Sequence, residues 1–330
     1  MQNKYFRKKI IIYLITFFFA VTLNWLIPRF MPGDPMSLLM AKLHGLNEGK
    51  AALKSFFLDS FGLNKSFFEQ YLDFWKALFT GDFGVSIYLY PKPVIEIISK
   101  AAIYDIVLLL PAVILSWIFG NKLGAISGVN KKIDNILMPI FYFLTSSPYF
   151  WFAVILVYVL GVVMGLFPIN GAYSSTMLPS FSFSFIIDFF KHWILPFLSL
   201  FSVMLGGWAI GMRNMIIYEM GSNYSKYMEA LGSSKKLIRK YAFRNAELPQ
   251  VTGLALSLGT IIAGNLTTQI VFSYPGLGYT LLKAILNQDY FLVQGCFLFI
   301  IIGVLLANFL VDILYMFIDP RVRYSYSGEV

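Results

Sequence analysis

Side chains able to do chemistry are sparse in this 330-residue chain, and where they fall matters more than how many there are. The two histidines, His44 and His192, lie far apart, and the single cysteine, Cys296, sits inside an apolar run. Neither a metal-ligand set nor an intrachain disulfide follows from such spacing. The sequence holds no H-E-x-x-H and no G-x-x-x-x-G-K-[ST] phosphate loop, and no nucleophile-and-base constellation can be picked out. What stands out instead is a group of uncharged polar residues in apolar surroundings: Asn265, Thr268 and Gln269. Asn265 and Gln269 are four apart and share a helical face. Carboxamides and a hydroxyl there suit either a wetted path for a neutral or zwitterionic solute or hydrogen bonds between packed helices.

Those residues need a bilayer around them to be unusual, and the composition supplies one. Hydrophobic residues make up 58% of the chain and charged residues only 13%, well below the quarter or so of a soluble domain. A helix needs about 20 apolar residues to cross the hydrocarbon core. Six segments come close to that length: residues 10–28, 103–126, 138–167, 193–212, 251–274 and 291–318. The fold class expected is therefore an all-α integral membrane protein with six transmembrane helices. Pro139 and Pro148 predict a tilt or kink in the third span. The basic N-terminus precedes an apolar stretch longer than a signal-peptide core and shows no convincing cleavage site, so residues 1–28 read as an uncleaved first span.

The net charge of +9 reflects membrane topology rather than a nucleic-acid surface, because the cations fall between the spans. Lys4, Arg7, Lys8 and Lys9 precede span one; Lys122, Lys131 and Lys132 separate spans two and three; Arg321 and Arg323 follow span six. The largest group, Arg213 to Arg244, separates spans four and five. The positive-inside rule then puts both termini in the cytoplasm. The chain divides into 1–28, an outer region at 29–102, and a five-span core at 103–330 with a cytoplasmic loop at 213–250. In the outer region Phe67, Tyr71, Phe74, Trp75 and Leu78 recur at helical spacing, which suits a helix in the outer headgroup layer or a partner-docking stripe. The aromatic-rich stretch from Ser174 to His192 reads as an irregular outer loop, and F-S-Y-P-G-L-G-Y, with Pro275, Gly276 and Gly278, as a tight outer turn.

Ionisable groups within the spans are nearly absent: Asp105 lies near the outer start of span two and Asp312 near the inner end of span six. An ion-coupled carrier needs more, so any transport is expected to draw its energy from outside the chain. A membrane enzyme is disfavoured by the missing catalytic set. In span five Ala255, Gly259 and Ala263 recur every four residues, a small-residue stripe that permits close helix contact.

The cytoplasmic insert YSKYMEALGSSKKLIRKYAFRNAELP spans residues 224–249. Tyr227, Ala230 and Leu231 fall at i, i+3 and i+4, and Gly232 can end that short helix in the left-handed conformation. Ser233 or Ser234 can cap a second helix running to Pro249. The pattern is helix, sharp turn, helix; composition alone is also met by a basic loop resting on anionic lipid.

The A-x-G that closes the short helix, followed by L-P at the next span, resembles the coupling loop of ABC-importer permeases. The dipeptide/oligopeptide/nickel branch is matched further by RFMPGDP, LFTGDFGVS, FRNAELPQVT, VFSYPGLGYTLLKAILNQDYFLVQG and VDILYMFIDPRVRY, all in register along the chain. The resemblance implies a type I ABC-importer permease fold in a bacterial or archaeal cytoplasmic membrane. It implies that Tyr224, Tyr227, Met228, Glu229, Ala230, Leu231 and Gly232 form a lever seated in a groove on a separate ATPase. Ala230 and Leu231 would give its apolar contact, Glu229 a polar one and Gly232 the turn. The implied partners are two ATPases that bind the ATP and Mg, a second homologous permease and an extracytoplasmic solute-binding protein; this chain itself would carry no cofactor. Implied solutes are peptides, with nickel chelates and oligosaccharides as alternatives. Two positions depart from the family pattern, Met228 where alanine is usual and Asp105 where threonine is usual.

Overall fold

The computed structural model describes residues 2–31, 64–260 and 266–318, together with 55, 58, 59 and 62. Among these the chain is helical, with one isolated bridge between Val85 and Pro93 as its only strand-like pairing. In chain order the helices are α1 (Gln2–Phe30), α2 (Phe67–Thr80), α3 (Val94–Val129), α4 (Lys131–Ser146) and α5 (Tyr149–Leu156), the last continued by a π-helical stretch, Val157–Val163. They are followed by α6 (Phe183–Met220), α7 (Asn223–Ala230), α8 (Lys235–Thr260), α9 (Leu266–Val271), α10 (Leu277–Leu286) and α11 (Tyr290–Ile318). Of the expected site residues, Ala263 and Asn265 lie outside the described residues, as do His44, Arg321 and Arg323.

Four described helices are long and apolar enough to cross a membrane: Arg7–Phe30, Val94–Val129, Phe183–Met220 and Tyr290–Leu310. A fifth is possible if Lys131–Ser146 and Tyr149–Val163 form one span bent by 104°. That bend falls at Ser147–Pro148, where the proline has no N–H to continue the helix, whereas Pro139 stays inside α4. The expected span at 251–274 is described only as the end of α8 and as α9.

Several boundaries differ from expectation for identifiable reasons. Helix α8 does not stop at Pro249 but runs through it to Thr260, so the cytoplasmic helix and the start of span five are one element. Proline there forgoes a single backbone bond, which a packed membrane helix tolerates. The stretch from Ser174 to His192 is irregular only to residue 182, where the Ser182 hydroxyl accepts the Phe185 N–H and starts α6. The loop before it is pinned by Ser174, whose N–H and hydroxyl both donate to Asp188 at 2.7 and 2.6 Å. In the outer turn Ser273 takes the positive φ of 47°, Gly276 caps α10, and Gly278 lies inside that helix.

Contacts separate two compact units, Met1–Tyr104 with Gly276–Val330, and Asp105–Pro275. In the first, α2 opens with a capping box in which Ser66 and Glu69 exchange hydrogen bonds. Its aromatic stripe packs inward: Phe74 is buried with Val21, Trp25 and Leu298, and Tyr71, Trp75 and Leu78 lie against them. Phe67 sets its ring against Trp25 at a centroid distance of 4.4 Å, while Phe68, Leu72 and Phe79 are exposed. Asp289 caps α11 by accepting the Leu292 N–H at 3.1 Å, and it also accepts the Ser86 hydroxyl and the Tyr88 N–H, fastening the segment before α3. Lys9 and Tyr13 of α1 both reach Asp312 of α11 at 2.8 Å, so the acid near the end of span six is neutralised within the chain.

Candidate functional site

The second unit holds the features that bear on function, and a glycine seam positions them. Gly120, Gly124 and Gly128 recur every four residues on α3, and α6 lies directly over them. A Cβ at Gly120 would stand 2.6 Å from the Trp208 Cβ, one at Gly124 2.2 Å from the Ala209 carbonyl oxygen, and one at Gly128 2.9 Å from Ile216. On α6, a Cβ at Gly206 would likewise stand 2.6 Å from the Phe141 carbonyl oxygen of α4. In a bilayer, where apolar surface gains little by leaving lipid, such close backbone contact is a main source of helix association. The signal for this seam is the G-x-x-x-G-x-x-x-G spacing of FGNKLGAISGV. Ala255 is half-buried, and a Cβ at Gly253 on the same helix would stand 3.1 Å from the Trp208 ring.

Two polar ties cross this packed set. Arg213 on α6 donates from Nε to Asp134 Oδ1 at 3.0 Å and from Nη2 to Asp134 Oδ2 at 2.6 Å, while the Ser127 hydroxyl donates to the same carboxylate. Deeper in the chain's apolar part, Gln269 Nε2 donates to Asp105 Oδ1 at 2.7 Å. Gln269 and Thr268 are completely buried, and Asp105 is nearly so. The carboxylate that departs from the family pattern and a carboxamide expected in the polar group thus meet as a pair across α3 and α9.

The basic insert folds as helix, turn, helix. α6 ends at Met220, Gly221 turns the chain, and α7 runs for eight residues before Gly232 reverses it at φ +77°. The Gly232 N–H donates to the Glu229 carbonyl at 2.9 Å and the Ser233 N–H to the Met228 carbonyl at 3.0 Å. Those two bonds across a left-handed residue are a Schellman motif, which glycine enters without steric cost. The Ser234 hydroxyl then accepts the Leu237 N–H and opens α8.

α7 shows a divided surface. Tyr227 and Leu231 are each 67% exposed, and Glu229, Ala230 and Gly232 are exposed beside them. Tyr224 and Met228 are half-buried, and Ser225 is buried. An apolar face that is left open outside a well-packed helix set is a contact surface in search of a partner.

The long apolar helices define a helical membrane protein. Residues 112–324 match the family described as binding-protein-dependent transport system inner membrane component. The chain is 31% identical over 326 residues to the oligopeptide transport system permease protein OppB of Haemophilus influenzae, covering 97% of this chain and 99% of the relative. It is 30% identical over 305 residues to the oligopeptide permease AppB of Bacillus subtilis, covering 92% and 93%. The glutathione transport system permease protein GsiC of Escherichia coli is 28% identical over 324 residues, again covering 97% and 99%. This chain belongs to the binding-protein-dependent transport system inner membrane component family, and it is a permease subunit of the inner membrane.

Proposed function

We propose that the chain forms half of the translocation pore of an ATP-driven importer for peptides, with α7 as the element that a separate ATPase subunit moves. The observation that carries this reading is the geometry of α7: a short helix with exposed apolar side chains, closed by a Schellman turn and set between two long helices, α6 and α8. The relatives named for oligopeptides and glutathione support a peptide as the solute.

In this reading six spans cross the membrane with both termini in the cytoplasm. A second homologous permease completes the pore, two ATPases bind the ATP and Mg, and an extracytoplasmic binding protein delivers the solute. Tyr227, Ala230 and Leu231 supply the apolar contact with the ATPase, Glu229 a polar contact, and Gly232 fixes the reversal of the chain. Tyr224, whose hydroxyl donates to Glu219, holds the helix to its own subunit. Asn265, Thr268 and Gln269, with Asp105, line the solute path, and Ala255, Gly259 and Ala263 let span five pack closely. Because α8 continues through Pro249, a displacement of α7 carried across the Gly232 turn passes along one helix towards span five.

The test is uptake by the assembled importer in proteoliposomes. Gly232→Pro removes the N–H that closes the turn and demands a negative φ where the backbone has +77°. Glu229→Arg reverses a charge on the open face. Both variants are expected to insert normally and to hydrolyse ATP without importing peptide. Wild-type uptake in both would overturn the assignment of α7.

A further inference from the structure

We propose that Glu219, the penultimate residue of α6, is the anchor that makes α7 a rigid lever. The proposal rests on the reading of α7 as the ATPase contact and adds the residue that transmits its motion. Five donors converge on Glu219. Its carboxylate Oε2 accepts the Tyr224 hydroxyl at 2.8 Å and, more weakly, the Asn245 Nδ2 of α8 at 3.4 Å. Its backbone carbonyl accepts the Ser222 N–H at 3.2 Å, the Ser222 hydroxyl at 2.6 Å and the Ser225 hydroxyl at 2.7 Å.

The use made of Ser222 is the telling detail. A serine at the N-cap ordinarily accepts a hydrogen bond from the second or third amide of its helix, which stabilises that helix. Ser222 holds the N-cap position of α7 but makes no such bond; its hydroxyl points backwards to Glu219. Ser225, one turn into α7, is buried and donates to the same carbonyl. The start of α7 is thus fastened to the end of α6 rather than capped on itself.

A two-residue link, Gly221 and Ser222, would otherwise be a hinge. Bound at Glu219 by two side chains of α7 and by the Ser222 cap, α7 keeps a fixed angle to α6, and Asn245 adds a contact to α8. A push on the open face of α7 then turns α6 rather than bending the link. Glu219 touches neither nucleotide nor solute and acts by positioning.

The experiment compares Glu219→Ala, Glu219→Gln, Tyr224→Phe and the double variant Glu219→Ala/Tyr224→Phe in the assembled importer. Gln keeps an acceptor for the tyrosine hydroxyl, and Tyr224→Phe deletes a single oxygen, so it is the variant least able to disturb folding. Hydrogen exchange at the amides of 226–233 in nucleotide-free importer is read first. Glu219→Ala and Tyr224→Phe should each speed it about tenfold, the effect of one lost charge-assisted hydrogen bond on an opening equilibrium. The double variant should add nothing further, and Glu219→Gln should stay within about twofold of wild type. ATP hydrolysed per alanine tripeptide imported should rise in the same two single variants and return towards wild type with Gln. Unchanged exchange in Tyr224→Phe and Glu219→Ala, or faster exchange with an unchanged hydrolysis-to-uptake ratio, overturns the anchor. If Gly232→Pro still uncouples while these variants behave as wild type, the anchor fails and the reading of α7 stands; wild-type uptake in Gly232→Pro removes the reading itself.

Discussion

Arg213 grips Asp134 through a two-pronged contact, Nε to Oδ1 at 3.0 Å and Nη2 to Oδ2 at 2.6 Å, and so ties α6 to α4 about three turns before α7 begins. Lysine carries the same charge but cannot make the planar fork. Arg213→Lys is therefore expected to lower the stability of the detergent-solubilised chain by about 2 kcal/mol, the usual worth of a charge-assisted hydrogen bond. A thermal melt checks it, and a melt identical to wild type would show that the fork contributes nothing beyond charge.

Adjacent glycines on α6 give an internal control for the glycine seam. Gly206 has the Phe141 carbonyl 2.6 Å from where a Cβ would stand, whereas nothing lies within 4 Å at Gly207. Gly206→Ala should cost about 1–3 kcal/mol through overpacking, and Gly207→Ala should leave the melt unchanged. Gly124→Ala on α3, aimed at the Ala209 backbone, should be at least as damaging as Gly206→Ala. Equal melts for Gly206→Ala and Gly207→Ala would contradict the seam.

Gln269 and Asp105 separate two roles for the buried polar pair. Gln269→Leu removes the carboxamide donor to a carboxylate held away from solvent, a loss worth roughly 1–3 kcal/mol. If the pair lines the solute path, Gln269→Leu also lowers peptide uptake at wild-type amounts of inserted protein. Lower stability with full uptake per molecule would make the pair a packing contact and remove it from the path.

How much of this was legible in the sequence depended on the range of the interaction that decides it. The helix-turn-helix of the insert followed from Ala230, Leu231 and Gly232, because a Schellman turn is set by residues within one turn of each other. The membrane class followed from the apolar runs. Pro249 misled, since helix termination by proline is a local tendency that packing overrode. The inward packing of Tyr71, Phe74 and Trp75 was beyond periodicity, which identifies an apolar face without saying what covers it. Asp105 with Gln269 are 164 residues apart, and Arg213 with Asp134 are 79 apart. No spacing rule connects them. Glu219 was overlooked for a different reason: it sits at a helix end among polar neighbours, where an acid draws no notice until its five donors are seen.

The outer region offers a separate test through Asp289. It caps α11 and accepts the Ser86 hydroxyl and the Tyr88 N–H, so Asp289→Ala removes a cap and leaves buried donors without an acceptor. A loss of about 2 kcal/mol or more is expected, with faster hydrogen exchange at Tyr88. Unaltered exchange at Tyr88 would show that the segment before α3 is held by other contacts.

The central claim, that the open face of α7 is where an ATPase subunit seats, is tested most directly by site-specific cross-linking in the intact importer. A photoreactive side chain in place of Tyr227 or Leu231, both 67% exposed, should capture the ATPase subunit, and capture should change in extent when ATP is added. The same group in place of Phe181, exposed in the loop before α6, should capture no ATPase. Failure of both α7 positions to reach the ATPase in a complex that still hydrolyses ATP and imports peptide would contradict the account.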